Sequence, residues 1–306
     1  MILENASSFL AWDVSSYLAV FLISAFIIVL VDHFFMGGAA VNMPSTKKSL
    51  FAKWLYFVCF LRLNKSEKYL NRPKAVQLMA EFYPVLLLVF LLRGFIAEPF
   101  RIPSNSMMPT FLTYDFLLVD KLSYGIHLPV LNTELFDIGD PERGDVIVFR
   151  YPNYEKQKKY KGADFIKRVI GLPGDEITYI NDSLTVNGKA VEYQKIGNYT
   201  GIEKGIGMTG HKHYREILGN DPHEILLHPR ANSKSVGLVV PEGHYFVMGD
   251  NRAHSSDSRF WGFVPEEYII GRAFYVWAHG DIGGVFSGSP LQALKTFSFS
   301  RNGIVN

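Results

Sequence analysis

Cysteine is nearly absent from this chain: one residue, Cys59, in 306. A lone thiol forms no internal disulfide, so a packed core must hold the fold. It also argues against thiol-based proteolysis. Cys59 lies in an apolar run, Phe57 to Phe60, with no base beside it, and reads as packing or membrane contact. A surplus of one charge sign is missing too. Lys and Arg number 31 against 29 Asp and Glu, so nothing suggests a nucleic-acid partner. The metalloprotease pattern His-Glu-x-x-His is absent. His211 and His213 have a ligand-like spacing, with His223 and His228 nearby, but the region is polar and glycine-rich and reads as a solvated loop. No metal and no cofactor is expected.

Basic residues are also lacking at the start, where the first 46 residues contain no Lys or Arg. A cleavable leader normally begins with a basic segment, so the apolar run from Val14 to Met36 reads as an uncleaved span. About 20 such residues cross a bilayer core. A second, shorter apolar run covers Phe82 to Ile96, with Pro84 at its start and Arg93 placed to snorkel at its far end. Residues 37–80 between them hold eight basic residues and one acid, Glu67. Basic loops stay in the cytoplasm, which puts the N-terminus and everything after about residue 97 outside. Phe51 to Leu61 is too short to span and is expected to lie on the inner surface. The expected divisions are a tail and first transmembrane helix over 1–36, a cytoplasmic loop over 37–80, a second transmembrane helix over 81–97, and an exported domain over 98–306.

That last domain shows no long amphipathic helical period. Short apolar runs at 116–119, 146–149, 165–170, 184–186, 245–248 and 273–277 alternate with Gly, Pro, Asn and Asp turns. Asn187-Gly188 is a strong two-residue hairpin signal. The pattern predicts a membrane-anchored, mostly antiparallel β domain with a β-rich insertion at about 176–242, whose part from 195 to 240 reads as surface.

Three segments carry chemistry. In Phe100-Arg101-Ile102-Pro103-Ser104-Asn105-Ser106-Met107-Met108-Pro109-Thr110, two prolines restrict the backbone and two serines stand at i and i+2. In Asp164 to Asp175, strand alternation puts Lys167 on one face with Phe165 and Val169, a setting that can desolvate the amine and lower its pKa. A neutral amine can take a proton from a serine hydroxyl. Gly249-Asp250-Asn251-Arg252-Ala253-His254-Ser255-Ser256-Asp257-Ser258-Arg259 packs both charge signs into one loop after an apolar strand. Taken singly, each segment has a plainer reading: a turn, a snorkelling lysine, a solvated loop.

Taken together, and in this order after a membrane span, they resemble the bacterial type I signal peptidases (leader peptidases). The resemblance rests on Pro-Ser-x-Ser-Met-x-Pro-Thr, Lys-Arg-x-x-Gly-x-Pro-Gly-Asp, and Gly-Asp-Asn-Arg with Ser-x-Asp-Ser-Arg. It implies a Ser–Lys dyad serine endopeptidase, with Ser106 as nucleophile and Lys167 as base. It further implies the Ser106 N–H and the Ser104 hydroxyl as oxyanion donors, Ser255 bonding the Lys167 amine, an Asp257–Arg259 ion pair, and Arg168 pairing with Asp250. Phe100, Ile102, Pro103, Met107, Phe111, Phe165 and Ile166 would line pockets for small substrate residues, as in Ala-x-Ala. The implied partners are signal peptides of exported preproteins, membrane phospholipids and, functionally, the export translocon. The implied location is the bacterial inner membrane, with the catalytic domain on the periplasmic side.

The chain departs from that family in two places. Ala253-His254 replaces the usual Asp-Asn, and the insertion lacks the cysteine pair some relatives carry. His254 invites a Ser–His–Asp triad with Ser106 and Asp257, but the lysine already has its motif. Three rival readings are weaker. A β-lactamase-like Ser45 to Lys48 lies in the expected cytoplasmic loop without a Lys-Thr-Gly companion. The self-cleaving repressor class shares the chemistry but carries a DNA-binding segment and no spans. A membrane-anchored envelope adaptor, or an inactive homologue, would leave the two hydroxyls and the lysine as coincidence.

Overall fold

The computed structural model describes residues 14–35, 73–128, 133–152, 160, 162–219, 222–230, 233–281 and 297–305. Cys59 and the stretch Phe51 to Leu61 lie outside the described residues. The chain divides into two units, Met1–Ile96 with His127–Thr133, and Ala97–Ile126 with Glu134–Asn306.

In the first unit, α1 (Val14–Phe35) follows the first apolar run. α2 (Lys74–Leu91) runs on into a π-helical turn, Leu92–Ile96. It starts eight residues before the apolar run and carries Pro84 inside rather than at its start, which corrects the expected boundary. The reason is local. Pro73 sits just before the first helical residue, and the segment Lys74 to Glu81 is rich in strong helix formers. Residues Gln77–Ile96 form a helix long and apolar enough to cross a membrane, and Ser16–Ile28 is a shorter apolar stretch. Leu22, Ala25 and Tyr83 are buried where α1 and α2 pack, with the Phe26 and Tyr83 rings stacked. Ile23, Phe82, Val85 and Leu88 stay exposed, giving the two helices an apolar exterior.

The second unit is built on an antiparallel sheet. Its strands are β1 (Ala97–Arg101), β2 (Asp115–Asp120), β3 (Val146–Arg150) and β4 (Asp164–Gly171). Two smaller sheets follow in the chain. One combines β5 (Glu176–Ile180), β6 (Ser183–Val186) and β7 (Lys189–Ala190) with β11 (Val236–Val239), and the other joins β8 (Glu192–Asn198), β9 (Lys212–Ile217) and β10 (His223–Leu227). The main sheet resumes with β12 (His244–Met248), β13 (Val264–Pro265), β14 (Ile269–His279) and β15 (Gly303–Ile304). Its order is β1-β2-β14-β3-β4-β12-β13, with β15 on β14.

The continuous apolar run of β3 is explained by burial on both faces. Val146 and Val148 join a cluster with Ile102, Met107, Phe111 and Ile166, while Ile147 and Phe149 join another with Val169, Val247 and Trp261. Asn187 and Gly188 connect β6 to β7 with positive φ at both positions, 52° and 73°, the geometry a two-residue hairpin of this kind demands. The stretch 195–240 is not all surface. Met208 and Leu226 pack with Met108 and Leu112, and Glu216 and His223 are fully or nearly fully buried.

Candidate active site

Backbone bonds close the loop that carries the serines. Ile102 N donates to the Asp115 carbonyl at 2.9 Å and Tyr114 N to the Ile102 carbonyl at 2.8 Å, so β1 and β2 grip both ends. The loop after β12 is stitched onto it. Asn251 N donates to the Ser106 carbonyl at 3.1 Å, and Asn251 Nδ2 donates to the Asn105 carbonyl at 3.0 Å. Lys167 stands in the middle of β4, opposite Ile147 of β3.

These elements bring Lys167 Nζ to 2.8 Å from Ser106 Oγ, with both side chains buried. The amine also donates to the Ile166 carbonyl at 2.7 Å and lies 5.6 Å from the Phe165 ring centre. Burial pushes its pKa down to about 8, against the pull of the Asp257 and Asp250 carboxylates and with help from the Arg259 charge. The Ser104 hydroxyl is 3.4 Å from Ser106 Oγ.

The dyad opens into a cavity of about 310 Å³. Pro103, Phe165 and Ile166 line it, together with Tyr160, Asp164, His254 and Ser256, which sequence reasoning did not single out as wall residues. Phe100, Ile102, Met107 and Phe111 are elsewhere. They pack in the core cluster beneath, where Met107 and Phe111 are almost wholly inaccessible, so they support the site from behind. Apolar side chains beside a nucleophile serve as wall or as core, and sequence does not distinguish the two.

Around the pair run buried Arg–carboxylate bridges. Arg168 Nε and Nη2 reach both oxygens of Asp250 at 2.9 and 2.8 Å, and Thr110 donates to the same carboxylate. Arg259 Nε and Nη2 grip Asp257 at 2.8 Å each, and Asp257 accepts the Gly249 N–H at 3.0 Å. Burial would raise both carboxyls, but the facing guanidinium outweighs it and holds each below the usual aspartate range. The Ser255 hydroxyl makes no formed hydrogen bond to the amine. It is buried beside Asp257 and Gly249, while the amine is engaged by Ser106 and the Ile166 carbonyl.

The histidines fall into separate groups. His213 Nε2 lies 2.8 Å from Glu224, His223 Nε2 lies 2.9 Å from Glu216, and His211 meets His228 edge-on and His254 at a tilt, with ring centres 5.6 and 5.3 Å apart. Among the described residues no group of three ligating side chains is arranged to hold a metal.

A family model described as signal peptidase, peptidase S26, matches residues 75–278, well over half of the chain. The chain belongs to the signal peptidase S26 family. A signal peptidase I of Pseudomonas fluorescens is 43% identical over 224 residues, covering 69% of this chain and 75% of that one. One from Pseudomonas aeruginosa is 42% identical over 226 residues, with the same shares covered. One from Aquifex aeolicus is 34% identical over 260 residues, covering 72% of this chain and 92% of its own. In this S26 peptidase the matched stretch takes in all three motif segments, from the serine loop through Lys167 to the loop of Asp250 and Arg259. A hydroxyl beside a buried, low-pKa amine can supply a nucleophile and its base in one contact.

Proposed function

We propose that this serine endopeptidase removes signal peptides from exported preproteins, with Ser106 as nucleophile and Lys167 as general base. The 2.8 Å contact between Lys167 Nζ and Ser106 Oγ, made by an amine out of water, is the observation that carries the assignment. Below its pKa the ammonium donates to the hydroxyl and blocks it. Above, the neutral amine accepts the hydroxyl proton as Oγ attacks the scissile carbonyl. The ammonium so formed then protonates the departing amine of the mature protein. The same amine activates the water that frees the acyl group from Ser106. The Ser106 N–H and the Ser104 hydroxyl, which turns from its 3.4 Å contact, hold the developing oxyanion.

The apolar walls of Pro103, Phe165 and Ile166 beside the dyad suit small side chains at the substrate's −1 and −3 positions. Two transmembrane helices anchor the enzyme, α1 and α2, with the basic loop in the cytoplasm and the β unit on the periplasmic side of the inner membrane. The exposed apolar side chains of α1 and α2 and the one-sided charge of residues 37–80 support this topology. Phospholipids are then its surroundings, and the export translocon delivers its substrates. A precursor with Ala-x-Ala before its mature start should be cleaved, and the same precursor with a bulky −1 residue should not. Equal cleavage of both would overturn the specificity, and full activity in Ser106→Ala or Lys167→Ala would overturn the dyad.

A further inference from the structure

The inserted sheet sends one carboxylate into the catalytic region. Glu216, on β9, is fully buried, and its two oxygens take Nη1 of Arg252 (2.9 Å) and Nη2. The Tyr193 hydroxyl, on β8, lies 3.4 Å from Arg252 Nη1, and His223, on β10, puts Nε2 2.9 Å from Glu216 and 3.9 Å from Asp250. Arg252 itself stands at a junction. Its N–H donates to the Asp250 carbonyl at 3.0 Å, and its carbonyl accepts Arg259 Nη2 at 2.9 Å. Asp250 and the Arg259–Asp257 pair are the charged groups that bear on the Lys167 amine, with Arg168 next to it in β4.

We propose that Glu216 is a positioning residue for the Ser106–Lys167 pair, acting through Arg252 to fix Asp250 and the Arg259–Asp257 bridge around the amine. The inference rests on the dyad assignment. Stability alone is a poor explanation for these charges. Apolar side chains of similar volume generally replace a buried ion pair at little or no cost. What the charges add is one arrangement. Glu216 spans both guanidinium nitrogens, so Arg252 cannot swivel, and its two backbone bonds then hold the loop that touches the Ser106 carbonyl through Asn251. Burial would raise the Glu216 carboxyl, but the Arg252 charge and His223 hold it well below the usual range, so it stays ionised throughout the working pH range.

The test is the pH dependence of precursor cleavage by the full-length enzyme in detergent micelles. Glu216→Gln, the double variant Glu216→Leu/Arg252→Met and a control, Glu224→Gln, are compared with the parent, with melting temperature measured in parallel. Glu224 is on the neighbouring strand but half-exposed and outside this chain of contacts. In Glu216→Gln the uncompensated Arg252 charge and the loosened Asp250 and Asp257 both favour the neutral amine. The acidic limb of kcat/KM therefore moves to lower pH, by about half a unit or more. The double variant removes both charges and melts near the parent, yet kcat per folded enzyme falls about tenfold to a hundredfold through misplacement alone. The control keeps the parent's profile. A merely structural Glu216 would change melting and active yield but leave the limb and kcat per folded enzyme in place. A folded double variant with the parent's kcat and limb overturns the proposal. Parental cleavage by Lys167→Ala, run alongside, would instead show that the dyad assignment is at fault.

Discussion

A Cβ placed on Gly249 would stand 2.4 Å from the carbonyl oxygen of Ser106, closer than real side chains approach a backbone atom. The same Cβ would meet the Ser255 side chain, Cβ at 2.6 Å and Oγ at 2.4 Å. The loop after β12 therefore lies against the backbone of Ser106, the proposed nucleophile, and only glycine lets it come so near. Gly249→Ala should push the two segments apart. The expected result is a folded enzyme, destabilised by about 1–3 kcal/mol, whose kcat falls about a hundredfold from misplacement of the nucleophile. Thermal melting and steady-state cleavage of the same preparation check both parts.

The burial of Lys167 sets a pH dependence for catalysis. In the proposed role of base its amine must be neutral, and its pKa is brought down to about 8. Cleavage by the wild-type enzyme should rise with pH through a single ionisation near that value, about tenfold per unit below it. A profile flat from pH 6 to 9 would remove the lysine from the role of base.

The same burial sets a stability effect of definite sign. An unfolded lysine titrates near 10.5 and the native one near 8, so between those values the unfolded chain holds a proton that the native one lacks. Stability from this group rises with pH across that window, and the penalty is present in full below about pH 8. Two and a half units correspond to roughly 3 kcal/mol. Lys167→Met should therefore raise the melting temperature of the inactive enzyme at pH 7 and give much less benefit at pH 10.5. Equal gains at both pH values would contradict the proton accounting.

Ser104→Ala tests the oxyanion assignment. Among the described residues the hydroxyl makes only a long contact, 3.4 Å to Ser106 Oγ, so folding and KM should change little. The rate constant should fall about 10²–10³-fold. A loss expressed in KM instead would make Ser104 a substrate-binding group.

Much of the β unit was legible because its signals are local. Short apolar runs bounded by turn residues place β2, β3, β4 and β12 within a residue or so, and Asn187-Gly188 marks its hairpin without help from the rest of the chain. The serine and lysine segments are equally local. What was illegible depends on partners that arrive from a distance. Nothing in the sequence separates Glu216 from Glu224, two glutamates on adjacent strands. One is fully buried and the other half-exposed because Arg252 comes to meet only the first. The start of α2 was missed for a different reason: the span was read from the unbroken apolar run, and the helix formers between Lys74 and Glu81 lie ahead of it.

The three arginine–carboxylate bridges around the dyad have a further consequence. Dissolved ions weaken exposed pairs, with a screening distance of about 8 Å at physiological strength, but they scarcely reach charges sealed from water. Arg168–Asp250, Arg252–Glu216 and Arg259–Asp257 are all sealed, whereas Arg101–Asp281 is open to the medium. Brine strong enough to loosen the periphery would leave the framework around Ser106 and Lys167 as rigid as before.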